Sequence, residues 1–180
     1  MQGVVTRDSV TVNVMREPES SPDRVPPGQV LTTKFPVLHY DEVPAVDRAA
    51  FTLRIWGAVE TPTSLSFEQL IAIPSVRLKS DFHCVTTWSK LDNIWEGWRI
   101  STIVNMAIVK SSACHIMAHS LDGYTTNVPL AALMDDDVLL AYRHDDQDLT
   151  PEHGGPLRLV VPKLYAWKSA KWICGLELMD

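Results

Sequence analysis

The stretch Asp81-Phe-His-Cys-Val-Thr-Thr-Trp-Ser-Lys90 places one cysteine beside a histidine, with hydroxyl side chains and a tryptophan after it. An isolated cysteine is most often a small buried hydrophobe, but the polar neighbours of Cys84 argue against a core strand, and Asp92-Asn93 predicts a loop. Two reactive alternatives stay open, which are nucleophilic attack with His83 as base and binding of a soft metal. Adjacent side chains on an extended strand point to opposite faces, which weighs against His83 acting as the base for Cys84.

The cysteine count narrows the choice of chemistry. The chain has three cysteines, Cys84, Cys114 and Cys174, which lie far apart in the sequence. Their odd number is atypical of a disulfide framework, and no pair has the C-x2-C spacing of zinc sites. Reduced thiols indicate a cytosol-like compartment. The first 21 residues show neither an apolar h-region nor a twin-arginine pair, so we expect no export signal and a cytoplasmic location.

Length and charge set the class of protein. The 180 residues, 46% hydrophobic and 21% charged, are sufficient for one domain with its own core. The formal charge of −6 argues against nucleic acid or an anionic membrane surface as the main partner. No apolar run approaches the roughly 20 residues that cross a bilayer.

Short predicted elements follow a proline-rich start. Residues 1–23 are predicted to form an irregular tail, and 24–180 one domain. Ser66 to Gln69 reads as a capping box before a short helix, and Ser101 or Thr102 is the expected cap of a second one. Without a βαβ rhythm, the pattern predicts an α+β fold of mixed β-sheets with short helices. The strand predictions cover 51–56, 113–119, 124–128, 138–142, 157–161 and 172–179, with helical turns at 129–134.

A second group of residues suggests an anion site. The double glycine of His153-Gly-Gly-Pro-Leu-Arg158 permits close backbone approach to a ligand. Arg158, Lys168 and Lys171 carry positive charge near two tryptophans, so they are either ordinary solvated charges or partners of an anion. The sequence of these residues does not decide between the two.

Together, the two groups resemble the molybdopterin-binding domain of the sulfite oxidase family, in particular its short bacterial single-domain members. The likeness runs in register over about residues 24–178. The segments that carry it are Arg24 to Gly28, Lys34 to His39, His83 to Ser89, Trp95 to Gly97, Asp122 to Tyr124, His153 to Pro162 and Tyr165 to Trp172.

The resemblance implies a molybdenum-molybdopterin cofactor, in which one pyranopterin dithiolene and the thiolate of Cys84 bind the metal. Cys84 is thus the implied metal ligand and catalytic residue, and Tyr124 is a hypothetical hydrogen-bond donor near the labile oxygen. The implied cofactor-binding residues are His39, Ser120, His153, Arg158, Lys168, Ser169, Ala170 and Lys171. Ser169 to Lys171 match the segment at the phosphate end of the cofactor.

The implied reaction is two-electron oxygen-atom transfer to or from a small sulfur- or nitrogen-containing substrate, with an external electron carrier. The family's sulfite-binding arginines after the cysteine are replaced by Trp88-Ser-Lys90, so the likeness does not extend to sulfite as substrate. Family glycines are replaced by Thr87 and Ala166. The likeness includes no dimerisation or haem domain, and a monomer is expected. The alternatives are a non-catalytic or degenerate molybdopterin-binding module and a cysteine hydrolase.

Overall fold

The computed structural model describes residues 12–13, 24–39 and 41–180. These residues form two β-sheets joined by a few short helices, which confirms the predicted α+β class. The strands are β1 (Val12–Asn13), β2 (Val30–Leu31), β3 (Thr52–Gly57), β4 (Thr63–Ser66), β5 (Val76–Cys84), β6 (Trp88–Arg99), β7 (His115–Ser120), β8 (Thr125–Pro129), β9 (Leu139–His144), β10 (Gln147–Asp148), β11 (Arg158–Val160) and β12 (Ile173–Met179). The α-helices are α1 (Phe67–Ile71), α2 (Ile100–Asn105) and α3 (Leu130–Leu133), and 3₁₀ helices cover Pro151–His153 and Ala166–Lys168.

The antiparallel hairpin β5–β6 forms the middle of the seven-stranded sheet, whose order is β1-β5-β6-β9-β10, with β2 on β6 and β11 on β9. The loop predicted at Asp92-Asn93 is wrong, because both residues lie within β6. Asp92 has a φ of 56°, and the register shifts opposite it, between Ser80 and Phe82. The Asp81 carboxylate accepts a hydrogen bond from the Asp92 amide at 3.0 Å, so a side chain stabilises the irregular point in the ladder.

The five-stranded sheet has the order β4-β3-β12-β7-β8. Its middle strand, β12, pairs in parallel with β3 and antiparallel with β7. The strands predicted at 51–56, 113–119, 124–128 and 172–179 are confirmed within a few residues at their ends. Alternation of buried and exposed side chains along β3 matches the period-two pattern in its sequence.

The two predicted helix starts have different outcomes. The capping box is confirmed, since the Gln69 amide donates to Ser66 Oγ at 3.2 Å and the Ser66 amide to Gln69 Oε1 at 2.8 Å. The predicted cap at Ser101 or Thr102 is wrong, because α2 begins at Ile100 without a side-chain cap. The chain enters α2 directly from β6, and the Ile100 amide donates to the carbonyl of Val138 at 3.0 Å.

Both faces of the seven-stranded sheet are covered by apolar residues. Leu140 and Leu159 belong to the main core, which the sheet shares with the five-stranded sheet and α2. Their neighbours Leu139 and Val160 belong to a smaller cluster rich in aromatic side chains, with Phe82 and Trp95. Burial on both faces explains why β9 and β11 read as continuous apolar runs rather than alternating ones.

Little of the predicted tail is described. Val12–Asn13 pair in parallel with Val76 and Arg77 of β5, and the rest of residues 1–23 lies outside the described residues. The domain boundary at residue 24 therefore stays a prediction. None of the helices described is long and apolar enough to cross a membrane.

Candidate active site

One cavity of about 260 Å³ brings the predicted site residues together. Its wall combines the turn after β5, the turn after β7, the 3₁₀ helix Pro151–His153, the loop that follows β11 and the segment 35–39. The predicted residues that line the cavity are His39, Cys84, Ser120, Tyr124, His153, Arg158, Ser169, Ala170 and Lys171. Lys168 is the one predicted site residue outside this wall.

Cys84 ends β5 and lies in the cavity wall, where only 6% of its surface is exposed. Its Sγ lies 3.1 Å from Thr86 Oγ1, and its carbonyl accepts the Thr87 amide at 3.0 Å. Thr87 adopts a φ of 68°, the left-handed region that favours glycine, which agrees with a glycine at this turn in the family. His83 is not in the wall, and its Nδ1 lies 2.7 Å from Ser89 Oγ. The strand therefore separates the thiol from the neighbouring imidazole, as the alternation of side chains predicts.

Arg158 is a buried cation with no carboxylate partner among the described residues. Its exposed fraction is 4%, and burial lowers the pKa of its guanidinium to about 9. The Nη1 and Nη2 groups donate to the carbonyls of His153 and Ser169 at 2.9 and 3.0 Å, whereas Nε has no partner in the part of the chain that the structure describes. The guanidinium carbon lies 5.2 to 5.6 Å from the ring centres of Phe35, Phe82 and Trp95. The uncompensated charge and the free N–H are suited to an anion.

Two further basic groups face the same cavity. Burial, then the charge of Arg158, lowers the pKa of Lys171 to about 8, and Lys171 Nζ donates to the Glu152 carbonyl at 2.8 Å. Burial, then Arg158 and Lys171, lowers the pKa of His153. The His153 ring stacks on Phe35 with 4.4 Å between ring centres. An anion in the cavity would offset the repulsion between Arg158 and Lys171 and would favour protonation of His153.

The double glycine has a different function from the predicted one. A Cβ at Gly154 would lie 2.8 Å from Lys171 Cβ, and Gly154 has a φ of 101°. A Cβ at Gly155 would lie 2.3 Å from the Leu149 carbonyl oxygen. The close approach that requires glycine is therefore made by the chain's own segments. This packing places His153, Arg158 and Lys171 side by side.

The remaining predicted residues differ in how free their polar atoms are. Ser120 Oγ is buried in the wall without a hydrogen-bond partner. Ser169 Oγ accepts the Val161 amide at 3.0 Å, and the Ala170 carbonyl accepts the Leu159 amide at 2.8 Å. His39 is exposed, with Nδ1 2.7 Å from the Asp41 carbonyl oxygen.

The side chains of Tyr124 and Lys168 both donate hydrogen bonds to other residues of the chain. The Tyr124 hydroxyl donates to the Trp167 carbonyl at 2.7 Å. Lys168 Nζ donates to the backbone carbonyl of Asn127 at 2.6 Å and to its Oδ1 at 2.9 Å. Their predicted roles at the cofactor stay predictions.

The sequence reasoning did not assign the phenylalanines of the wall. Phe35 and Phe82 line the cavity beside Arg158, together with Trp88. Phe35 was visible only as part of the family-like segment 34–39, because nothing in one sequence indicates that this segment packs on residues 82–95. Lys90 does not line this cavity. It faces a second one, where Nζ donates to Asp145 and Asn93 at 2.8 and 2.9 Å.

The donor groups of the cavity fit a ligand with a metal and an anionic end. Donors for an anion come from Arg158 Nε, Ser120 Oγ and the ammonium group of Lys171. Arg158 Nε and Ser120 Oγ have no hydrogen-bond partner among the described residues. Cys84 provides one soft ligand, and the described residues contain no group of three or more His, Cys, Asp or Glu that could hold a metal unaided. These residues fit a group that brings most of its own metal ligands.

Comparison with known proteins gives the class directly. The family model of the oxidoreductase molybdopterin binding domain matches residues 40–180. The chain therefore belongs to this family, and it is a molybdenum cofactor-dependent oxidoreductase of the sulfite oxidase type. Its cofactor is molybdopterin.

The relatives and a solved structure agree with this assignment. The chain is 49% identical over 155 residues to the uncharacterized oxidoreductase YuiH of Bacillus subtilis, covering 86% of this chain and 78% of that protein. It is 30% identical to the protein-methionine-sulfoxide reductase catalytic subunit MsrP of Gluconobacter oxydans, covering 72% and 47%. The sulfane dehydrogenase SoxCD structure from Paracoccus pantotrophus superimposes with a TM-score of 0.73 at 25% identity, covering 79% of this chain and 41% of that one. The chain thus spans about half or less of the MsrP and SoxCD chains.

Proposed function

We propose that this chain catalyses two-electron oxygen-atom transfer to or from a small sulfur- or nitrogen-containing substrate, with Cys84 as the protein ligand of molybdenum. The observation that supports this most is that one cavity gathers a buried cysteine and an uncompensated arginine from segments about 70 residues apart. The bound cofactor supplies the oxygen-atom transfer and the two-electron change at the metal.

In this proposal Cys84 holds the metal end. A thiolate is a soft ligand and suits a metal that is otherwise bound by sulfur. Only 6% of the cysteine surface is exposed, so the protein limits water at the thiolate. Thr86 Oγ1, at 3.1 Å from Sγ, donates a hydrogen bond to the deprotonated sulfur and orients it.

Arg158, Lys171 and His153 hold the anionic end. Arg158 presents its free Nε and a charge that no described carboxylate neutralises. Ser120 adds a buried hydroxyl, while Ser169, Ala170 and His39 complete the wall. Because Arg158 and Lys171 repel one another when no anion is present, binding of a phosphate group is favourable for both, and the His153 imidazole can donate an N–H to it.

The exposed part of the cavity wall favours a substrate without a double negative charge. Three apolar side chains of the wall are exposed, with exposed fractions of 52% for Leu38, 58% for Val85 and 58% for Trp167. Lys90 points into the second cavity and is paired with Asp145. We therefore expect neutral sulfoxides or N-oxides to be better substrates than sulfite. The name of MsrP, a protein-methionine-sulfoxide reductase, is consistent with this choice.

The cysteine hydrolase alternative has little support. Its base would be His83, whose Nδ1 bonds to Ser89 and whose side chain lies outside the cavity. A non-catalytic molybdopterin-binding module has the same cavity, so turnover must separate it from the enzyme.

The test uses the chain purified from a molybdate-replete host. Turnover is measured with a reduced dye on sulfoxides and N-oxides and with an oxidised dye on sulfite, and rates are expressed per molybdenum. The proposal expects dye oxidation by a sulfoxide or N-oxide that is lost in Cys84→Ser. Stoichiometric molybdenum without turnover on any compound would indicate the non-catalytic module instead.

The partner and the compartment follow from the same proposal. One-electron exchange requires an external electron carrier, because the described residues form no second redox-metal site. The separate free cysteines support a reducing compartment, and we propose the cytoplasm.

A further inference from the structure

The residues 165–171, called the loop segment below, form a large part of the cavity wall. Ala166, Trp167, Ser169, Ala170 and Lys171 all line the cavity. The loop segment contains a 3₁₀ helix of three residues, in which the amides of Lys168 and Ser169 bond to carbonyls three residues earlier at 2.9 Å. So short a 3₁₀ helix has little stability of its own. Other contacts must hold the wall in place.

On its inner side, the loop segment is fixed to β11 and its end. Ser169 Oγ accepts the Val161 amide at 3.0 Å, and the Ser169 carbonyl accepts Arg158 Nη2 at 3.0 Å. The Ala170 carbonyl accepts the Leu159 amide at 2.8 Å. These hydrogen bonds begin at Ser169. In the 3₁₀ helix before it, Ala166 packs against the smaller apolar cluster, but among the described residues the helix makes no hydrogen bond to β11.

On its outer side, two side chains tie the 3₁₀ helix to the β7–β8 hairpin through three hydrogen bonds. The Tyr124 hydroxyl donates to the Trp167 carbonyl at 2.7 Å. Lys168 Nζ donates to the carbonyl and Oδ1 of Asn127 in β8, and it lies 5.0 Å from the centre of the Trp167 ring. The hairpin is itself ordered at Tyr124, whose amide donates to Asp122 Oδ1 at 3.0 Å.

These contacts leave little room for direct chemistry. A tyrosine hydroxyl has one proton to donate, and that of Tyr124 is directed to a backbone carbonyl. Lys168 directs its ammonium to Asn127 and does not line the cavity. Both residues are predicted site residues, and both contact the loop segment or the hairpin that supports it.

We propose that Tyr124 and Lys168 are positioning residues, which together clasp the loop segment to the β7–β8 hairpin and so preserve the wall at the phosphate end of the cofactor. This inference rests on the proposed function, in which Ser169 to Lys171 face that end. Loss of either bond should allow the 3₁₀ helix to open and should release the cofactor more readily.

The test compares Tyr124→Phe and Lys168→Met with matched controls. Tyr165→Phe removes a hydroxyl from the same loop segment, at a tyrosine that is 40% exposed and bonds through its side chain to no described residue. Lys168→Arg keeps a cation that can still donate to Asn127. Each protein is prepared from a molybdate-replete host.

Two quantities are measured on each protein. Hydrogen exchange of the Lys168 and Ser169 amides reports opening of the loop segment, and the pterin released by oxidation reports cofactor content. The proposal expects exchange to rise about tenfold in Tyr124→Phe and Lys168→Met, the effect of one lost hydrogen bond. It also expects cofactor content to fall severalfold in both, with Tyr165→Phe and Lys168→Arg near the parent protein.

The outcomes separate this proposal from the proposed function. Absence of pterin from the well-folded parent protein would overturn the proposed function, and the exchange rates alone would then decide whether the clasp exists. Unchanged exchange in both variants would overturn the clasp. Full cofactor content in both would overturn the effect of the clasp on the cofactor, and a loss of turnover in Tyr124→Phe at full cofactor content would show that Tyr124 acts directly instead.

Discussion

At the scale of single residues, Arg158 shows most clearly what the site is for. Burial of a guanidinium costs several kcal/mol unless its charge and N–H groups are satisfied. Two backbone carbonyls and three aromatic rings satisfy part of this requirement, but Nε and the net charge remain. A residue in this environment destabilises the fold when no anion is bound. An anionic ligand is the simplest compensation.

Replacement of Arg158 tests this reading. Arg158→Ala should still fold, because the substitution removes only the two Nη hydrogen bonds to carbonyls. Its pterin content should be lower than that of the parent by about tenfold or more. Arg48→Ala is the matched control, since Arg48 is 47% exposed and pairs with Asp148 at the surface. Pterin content is measured by fluorescence after oxidative release. Normal content in Arg158→Ala would show that Arg158 does not bind the cofactor.

The residues of the site were foreseen better than their contacts. The single cysteine, the basic residues and their family-like spacing led to nine of the residues in the cavity wall. The orphaned Nε of Arg158, the engagement of Tyr124 and the wall residue Phe35 depend on tertiary packing. A sequence states which groups are present, but it does not state which hydrogen bonds they have already made.

At the scale of elements, local signals predicted some features and tertiary contacts decided others. The capping box of α1 was readable because its two hydrogen bonds join residues three apart. The start of α2 was not readable from local sequence. β6 continues directly into the helix, and the first helical amide, that of Ile100, donates to the distant carbonyl of Val138. The loop prediction at Asp92 was wrong because the Asp81 carboxylate of the neighbouring strand accepts the Asp92 amide and stabilises the irregular strand there.

β6 and β9 approach each other closely at Gly97. A Cβ there would lie 2.1 Å from the Leu140 carbonyl oxygen and 2.7 Å from the Ala141 Cα. Gly97→Ala should therefore destabilise the protein by about 3 kcal/mol or more, because backbone must move to admit the methyl group. The free energy of unfolding is measured by urea denaturation.

Gly123→Ala is the control for this substitution. Gly123 has a φ of 84° but no atom within 4 Å of an added Cβ, so only backbone strain of about 1 kcal/mol is expected. Equal losses in the two variants would show that the β6–β9 approach is less tight than described.

At the scale of the whole molecule, burial of histidines makes the cofactor-free fold sensitive to acid. Burial lowers the pKa values of His83 and His153, and it lowers that of His144 to about 4. The unfolded chain binds these protons near pH 6.5, whereas the folded chain binds them only at lower pH. Stability from these groups is therefore complete above pH 6.5 and is lost as the pH falls towards 4.

The pH dependence can be assigned to one residue. The unfolding free energy of the cofactor-free protein should fall between pH 7 and pH 5, with about 2 kcal/mol due to His144. His144→Gln should show a smaller fall, whereas His115→Gln, at an exposed position, should behave like the parent. The check is urea denaturation at both pH values. The same fall in His144→Gln as in the parent would contradict the assignment.

The central claim, that Cys84 binds the molybdenum, is tested most directly by X-ray absorption at the molybdenum edge. The purified parent protein should show three sulfur ligands, two from the dithiolene and one from Cys84. Cys84→Ser, prepared in the same way, should show two in whatever molybdenum it retains. Cys174→Ser is the control, and it should keep three. The same sulfur count in the parent and in Cys84→Ser would contradict the account.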